Sequence, residues 1–219
     1  MKKRVVKATL AATMLFSVVL GPGVVANAET VTPVVTAKPA AAVKPTATVK
    51  PVATPAPAPI MRDNLSKFGL KKDLELPVTV TAGGLSYTLE KIMIYDAQSK
   101  DAQTLIKKFN YSGEGKYFIW TKITVGNNSG NTIKKDYTDL SEKWRLGFGN
   151  KLDAYPTMPR SKDTSVNDKE ALWGWKLAPG QKMNTYQAYY YDGDFKSFVI
   201  WVDNKKYSAT KYIVNSPEV

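Results

Sequence analysis

From about residue 60 onward the chain alternates apolar and polar positions at a period of two, with Gly-, Asn- and Pro-containing turns between the runs. The clearest run is Tyr117 to Val125. Tyr117, Ile119, Thr121, Ile123 and Val125 share one face, and Phe118, Trp120, Lys122 and Thr124 the other. It ends in the dense turn signal Gly126-Asn127-Asn128-Ser129-Gly130-Asn131. Leu74 to Ala82 and Leu85 to Tyr95 read as two strands joined by a Gly83-Gly84 hairpin turn. Further strands are predicted at Ile133–Asp136, Trp144–Phe148, Trp173–Leu177, Met183–Tyr191, Ser197–Val202 and Tyr207–Val214, with a tight turn at Asp192-Gly193.

One segment has a different period. Between Ser99 and Phe109, Ala102, Leu105, Ile106 and Phe109 fall at i, i+3, i+4 and i+7, one face of a helix. Ser99 is placed to cap its start. Asp101 in the first turn and Lys107 and Lys108 in the last suit the helix dipole. The expected arrangement is a short helix crossing between two strands, its apolar stripe on the sheet. Many short strands, one helix and no alternating βαβ units predict an all-β fold, an antiparallel sandwich with one inserted helix.

Two short motifs carry a resemblance. The strand from Tyr117 running into Val125-Gly126-Asn127-Asn128 resembles a "V-x-N-N" pattern of extracellular bacterial immunoglobulin-like domains of unknown function. Leu177-Ala178-Pro179-Gly180-Gln181 is similar to their "L-x-P-G-x" turn before a late strand. In such a turn Pro179 fixes φ and Gly180 takes a positive φ. The resemblance spans roughly 74–214. It implies an immunoglobulin-like sandwich in an extracellular or lipoprotein setting, and it supplies no functional residues.

The N-terminal 59 residues have a different composition. Lys2, Lys3, Arg4 and Lys7 precede a 13-residue apolar run, Ala8 to Leu20, and then Ala26-Asn27-Ala28. This is the layout of a secretory signal peptide cut after Ala28. The run is shorter than the roughly 20 residues of a membrane span. From Val31 to Pro59 the chain is almost entirely Pro, Ala, Val, Thr and Lys, with Lys-Pro pairs at 38–39, 44–45 and 50–51. Proline at that density favours extended polyproline II, at about 3.1 Å per residue. The expected organisation is therefore a signal peptide (1–28), a disordered Pro/Ala/Lys-rich linker (29–59) and a sandwich domain (60–219). The expected location is secreted, extracellular or cell-wall associated.

Composition narrows the chemistry. With no Cys there is no disulfide and no lipid-bearing cysteine, and with no His there is no imidazole base, triad or His-containing zinc site. The formal charge of +12 falls to +8 without the four basic residues of 1–28, and the domain itself carries +6. Nearly all of that basicity is lysine, a hydrated point charge without the planar fork of arginine. It suits diffuse attraction to an anionic polymer and argues against specific nucleic-acid recognition. It equally suits a solvated surface that aids solubility.

Aromatic residues supply the candidate binding site. All five Trp and all twelve Tyr lie in the domain. Phe118, Trp120, Trp201 and Tyr189 form a candidate aromatic surface for a glycan or a protein. The competing expectation is that the helix and the 153–172 connection cover that face. Asp192, Asp194 and Asp203 lack the spacing of a calcium loop and read as turn formers. The sequons at Asn64, Asn110 and Asn127 matter only in a host that glycosylates exported proteins. No cofactor, metal or catalytic residue is assigned. The leading expectation is a non-enzymatic interaction module whose partner is an anionic cell-wall polymer or an extracellular protein. The alternatives are a carbohydrate-binding module and, with the domain's eighteen carboxylates, a small glycosidase.

Overall fold

The computed structural model describes residues 60–136, 143–149 and 153–215; the signal-peptide and linker assignments lie outside the described residues. The chain runs β1 (Val78–Ala82), β2 (Leu85–Asp96), α1 (Lys100–Phe109), β3 (Tyr117–Asn127), β4 (Ile133–Lys135), β5 (Trp144–Gly147), β6 (Tyr155–Thr157), β7 (Trp175–Leu177), β8 (Lys182–Tyr191), β9 (Phe198–Asn204) and β10 (Tyr207–Val214). A five-stranded sheet has the order β1-β2-β3-β8-β6, a three-stranded sheet β10-β9-β5, and β4 pairs with β7. These ladders are antiparallel throughout, so the fold is an all-β sandwich with a short helix.

Two strands differ from expectation for reasons tied to proline. β1 begins at Val78 rather than Leu74. Pro77 has no N–H to donate to a ladder, and the Leu74 N–H goes instead to the Ile213 carbonyl, 3.3 Å away. β6 was not legible because Pro156 interrupts it; it forms at the sheet margin, where β8 is its strand neighbour.

The sandwich core closes as the alternation dictates. Ile119, Ile123 and Val125 of β3 join Tyr87, Leu89, Ile92 and Tyr189 of the large sheet. Trp144 and Leu146 of β5 and Phe198, Ile200 and Val202 of β9 belong to the same cluster. β2 carries one irregularity. Its register against β3 shifts between Leu89 and Lys91. Leu85, Tyr87 and Leu89 point inward, as do Ile92 and Ile94, so Glu90 and Lys91 both fall on the outer side of a bulge.

A second apolar cluster lies on the other side of the large sheet. Ala102, Leu105 and Phe109 of α1 pack on Tyr95, Phe118, Trp120, Ala188 and Tyr190. The helix starts as its sequence requires, with the Ser99 hydroxyl accepting from the Ala102 N–H at 3.3 Å. It ends at Asn110, left-handed at φ 51°, which lets the Tyr111 N–H return to the Ile106 carbonyl at 3.0 Å.

The two motifs behind the resemblance meet in space. Asn127 is fully buried. Its side-chain amide donates to the carbonyls of Asn131 (2.7 Å) and Leu177 (2.9 Å), while its oxygen accepts from the Ser129 N–H at 2.9 Å. Its backbone N–H donates to Gln181, and its carbonyl accepts from Gly180 at 2.7 Å. Gly180 has φ 77°, and the Gln181 N–H closes the turn onto Ala178 at 3.1 Å.

Candidate functional site

The candidate aromatic surface is not a surface. Phe118, Trp120 and Tyr189 are 0%, 5% and 1% exposed. Tyr189 belongs to the core between the sheets, and Phe118 and Trp120 lie beneath the helix. The cause is the cover that the sequence offered as the alternative: α1, together with part of the 153–172 connection. That connection is clasped down. Lys162 pairs with Asp168 (3.1 Å) and Glu170 (2.8 Å), and Lys108 of the helix reaches Glu170 at 3.5 Å. Ala171, next along, is buried in the same cluster as Phe118 and Trp120.

Charge sets the state of this clasp. Burial alone would raise the Asp168 carboxyl. The N–H groups of Glu170 and Ala171 and the Lys162 ammonium outweigh it and hold that carboxyl below its ordinary range. Lys162, then Lys108, do the same for Glu170.

Between the helix and the clasp lies a cleft of about 240 Å³, lined by Met61, Leu105, Phe109, Trp120, Tyr186 and the 169–170 turn. Trp120 stacks on Tyr186 with ring centroids 5.3 Å apart and planes 12° from parallel. It also stacks on Phe109 at 5.5 Å and on Phe118 at 6.3 Å. The indole is thereby held in place and contributes little accessible area.

Past Trp120 the outer face of the large sheet changes character. The rows Tyr95–Phe118–Tyr190 and Met93–Trp120–Ala188 belong to the helix-covered cluster. The next rows are Lys91–Lys122–Tyr186, Thr88–Thr124–Asn184 and Ser86–Gly126–Lys182. Lys91, Lys182 and Asn184 are exposed, and Lys122, Thr124 and Tyr186 are half-buried. Glu90, the carboxylate on these rows, accepts from the Thr124 hydroxyl at 2.5 Å. Lys91, Lys122, Lys182 and the nearby Lys169 make no ion pair among the described residues. The sequence pattern puts Lys122 on the face of Phe118, Trp120 and Thr124 and does not single out Lys91. The signal was present: the apolar step from Leu89 to Ile92 breaks the period of two and marks the bulge that carries Lys91 outward.

Trp201 is the candidate residue that keeps accessible area, being half-buried. It stands on the outer face of the small sheet with the Arg145 guanidinium 5.7 Å from its ring centre. Arg145 in turn pairs with Asp203 (3.2 Å) and Asp153 (3.5 Å). Gly147 makes room for the indole, since a Cβ there would meet Trp201 Cη2 at 2.6 Å. Tyr212, opposite Val199 on β10, is 47% exposed on that sheet.

The remaining candidates occupy structural positions. Asp192 accepts from the Lys116 N–H at 2.7 Å, and Asp203 is held by Arg145. Among the described residues no three acidic side chains are placed to share a cation. Asn64 is buried and exchanges two hydrogen bonds with the Ile94 backbone, at 2.7 and 2.9 Å. Of the sequons, Asn110 is the exposed one.

No family model matches the chain, and no curated protein does. Among solved structures it is similar to the yjhA protein of Bacillus subtilis, with 16% identity, 57% of this chain and 78% of that one covered, and a TM-score of 0.37. A provisionally assigned lipoprotein of Bacillus subtilis, ycdA, gives 13% identity, 64% and 39% coverage and a TM-score of 0.42. A functionally unknown protein of Listeria monocytogenes gives 9% identity, 70% and 88% coverage and a TM-score of 0.38.

Proposed function

We propose that the chain is a secreted, non-enzymatic interaction module of immunoglobulin-like type that works at the cell envelope. The observation that carries this reading is the division of the large sheet's outer face. One half is sealed by the helix, and the other presents lysines without ion-pair partners on a flat polar ladder. A site that performs chemistry on a small molecule ordinarily encloses it, whereas an open face of a rigid sheet suits a large partner. The basic–apolar–small pattern of 1–28 supports export, and the proline-rich 29–59 supports a spacer.

Retention of the purified chain on cell walls tests this reading. Binding that falls steeply with added salt and survives Trp120→Ala is expected, since the lysine term is screened over about 8 Å at physiological ionic strength. Absence of wall binding at low salt refutes it. Trp201, half-exposed beside Arg145, favours a second reading as a carbohydrate-binding module. Salt-resistant binding to a neutral glycan, lost on Trp201→Ala, would select that reading instead.

A further inference from the structure

We propose that the open half of the large sheet's outer face binds a linear polyphosphodiester of a polyol, with Lys91, Lys122 and Lys182 as its contacts. This rests on the envelope reading above and gives it a site and a ligand class.

Register places the charges. Lys91 lies directly opposite Lys122, and Lys122 directly opposite Tyr186, on three adjacent strands. Directly opposed residues have Cα atoms about 5 Å apart. Lys182 lies opposite Gly126, four residues along β3 from Lys122, which at about 3.4 Å per residue is roughly 14 Å. Like charges facing each other across a ladder repel. Neither Lys91 nor Lys122 makes an ion pair among the described residues; Glu90, on the same side of the bulge, accepts from Thr124. The bulge is what creates this pair. Without it, strict alternation would carry only one of Glu90 and Lys91 on the outer face. A bound anion relieves the repulsion, so the face is better matched to an anionic partner than to water.

The form of the surface selects the partner. It is an open ladder, so it admits a chain lying along it. Its charges are ammonium groups, which serve phosphate oxygens as point charges without demanding a planar, bidentate partner. Between them stand Thr88, Thr124 and Asn184, with Thr79 beside Thr88; Thr79 and Thr88 share a hydrogen bond (2.8 Å) and Thr124 donates to Asn184 (2.6 Å), which leaves hydroxyl lone pairs and the Asn184 amide N–H groups for the hydroxyls of a polyol repeat. Tyr186 is the aromatic on these three rows, and one of its faces is already stacked on Trp120. A polymer recognised by successive base stacking would need a series of free rings.

The test measures binding of the full chain to poly(glycerol phosphate), to a single-stranded oligonucleotide and to a neutral chito-oligosaccharide, at about 50 and about 200 mM salt. The variants are Lys91→Ala/Lys122→Ala and, as a control on the β9–β10 turn of the other sheet, Lys205→Ala/Lys206→Ala. The first pair is expected to weaken poly(glycerol phosphate) binding at least about tenfold and to lower the log–log salt slope by roughly 1–2. Its melting temperature should be unchanged or higher, since the repulsion is gone. The control should bind like the parent chain. Equal losses in both variants, or affinity kept within about twofold in the first, would overturn the site. Oligonucleotide binding as tight as that of the polyol polymer would overturn the ligand class. Wall retention that the first variant leaves intact overturns the site while the envelope reading stands. Polymer binding through these lysines without wall retention keeps the site and overturns the envelope reading.

Discussion

The indole N–H of Trp144 donates to the side-chain oxygen of Gln187 at 2.7 Å, across the two sheets of the sandwich. The same oxygen accepts from the Tyr189 hydroxyl at 2.8 Å. Both bonds are buried, and Trp144 also stacks on Trp175 with ring centres 5.6 Å apart. A single acceptor therefore satisfies two buried donors, while the Nε2 of the same amide and the Tyr87 hydroxyl are buried without a hydrogen-bond partner. Gln187→Leu keeps the volume and leaves both donors without that partner. Two stranded donors cost about 1–3 kcal/mol each, and loss of the unpaired Gln187 Nε2 offsets part of that, so urea unfolding should show a net loss of about 1–3 kcal/mol. A loss below about 0.5 kcal/mol, the range of ordinary surface changes, would show that the bonds do not matter.

The two faces of β3 make opposite demands. Ile123 is fully buried between the sheets, and Ile123→Ala should cost about 2–5 kcal/mol. Lys122, its neighbour, faces outward against Lys91, and Lys122→Ala should change stability by less than about 0.5 kcal/mol or raise it slightly. Chemical denaturation of the two variants side by side checks the assignment.

The clasp over the aromatic cluster should make the domain acid-sensitive. Asp168 and Glu170 have folded-state values below their ordinary range. A lowered carboxylate stabilises the fold above its unfolded pKa, about 4, and that contribution is lost as pH falls through the lower folded value. The melting temperature should therefore drop below about pH 4. Lys162→Met should shrink that drop, because the ammonium that lowers both groups is gone. An identical acid profile in the variant would exclude the clasp as its source.

Alkali should act through tyrosine. Burial, aided by Asp194, pushes the Tyr191 phenol up to about 12, and burial with Asp101 does the same for Tyr95. A raised folded value means stability that is complete below the unfolded pKa of about 10 and is lost as pH rises toward the folded one. Ultraviolet titration should show these phenols ionising late, with unfolding setting in above about pH 10. Tyr191 also donates to the Phe148 carbonyl at 2.8 Å, so Tyr191→Phe should weaken the fold at neutral pH while flattening its loss in alkali.

What could be read from the sequence was mostly local. The Ser99 cap, the helical stripe through Phe109, the Gly83-Gly84 turn and the two faces of β3 are each set by neighbours a few residues apart. The burial of Phe118 and Trp120 is different in kind. It depends on where the helix docks and on Ala171 of the 153–172 connection reaching the same cluster, which no period in the chain encodes. The bulge at Glu90 lay between these cases. Its trace is in the spacing of Leu89 and Ile92, but its effect, two lysines brought face to face, appears only once β2 is laid against β3.

The Asn127 corner has a consequence for fidelity. In a strand with apolar residues on both faces, a slip of one position exchanges one buried set for another. At Ile119 the slip would bring in Phe118 or Trp120, all of them buried, so hydrophobicity discriminates weakly there, whereas at Ile123 it would drive Lys122 or Thr124 into the core. The amide of Asn127 reaches two carbonyls 46 positions apart in the chain, Asn131 and Leu177, and its own N–H and C=O close on the turn before β8. A shifted β3 would strand this buried side chain with none of those partners. Asn127 thus serves as a checksum on the alignment of β3 with β8, adding its own polar penalty at the end of the strand where the aromatic half of β3 would tolerate the error.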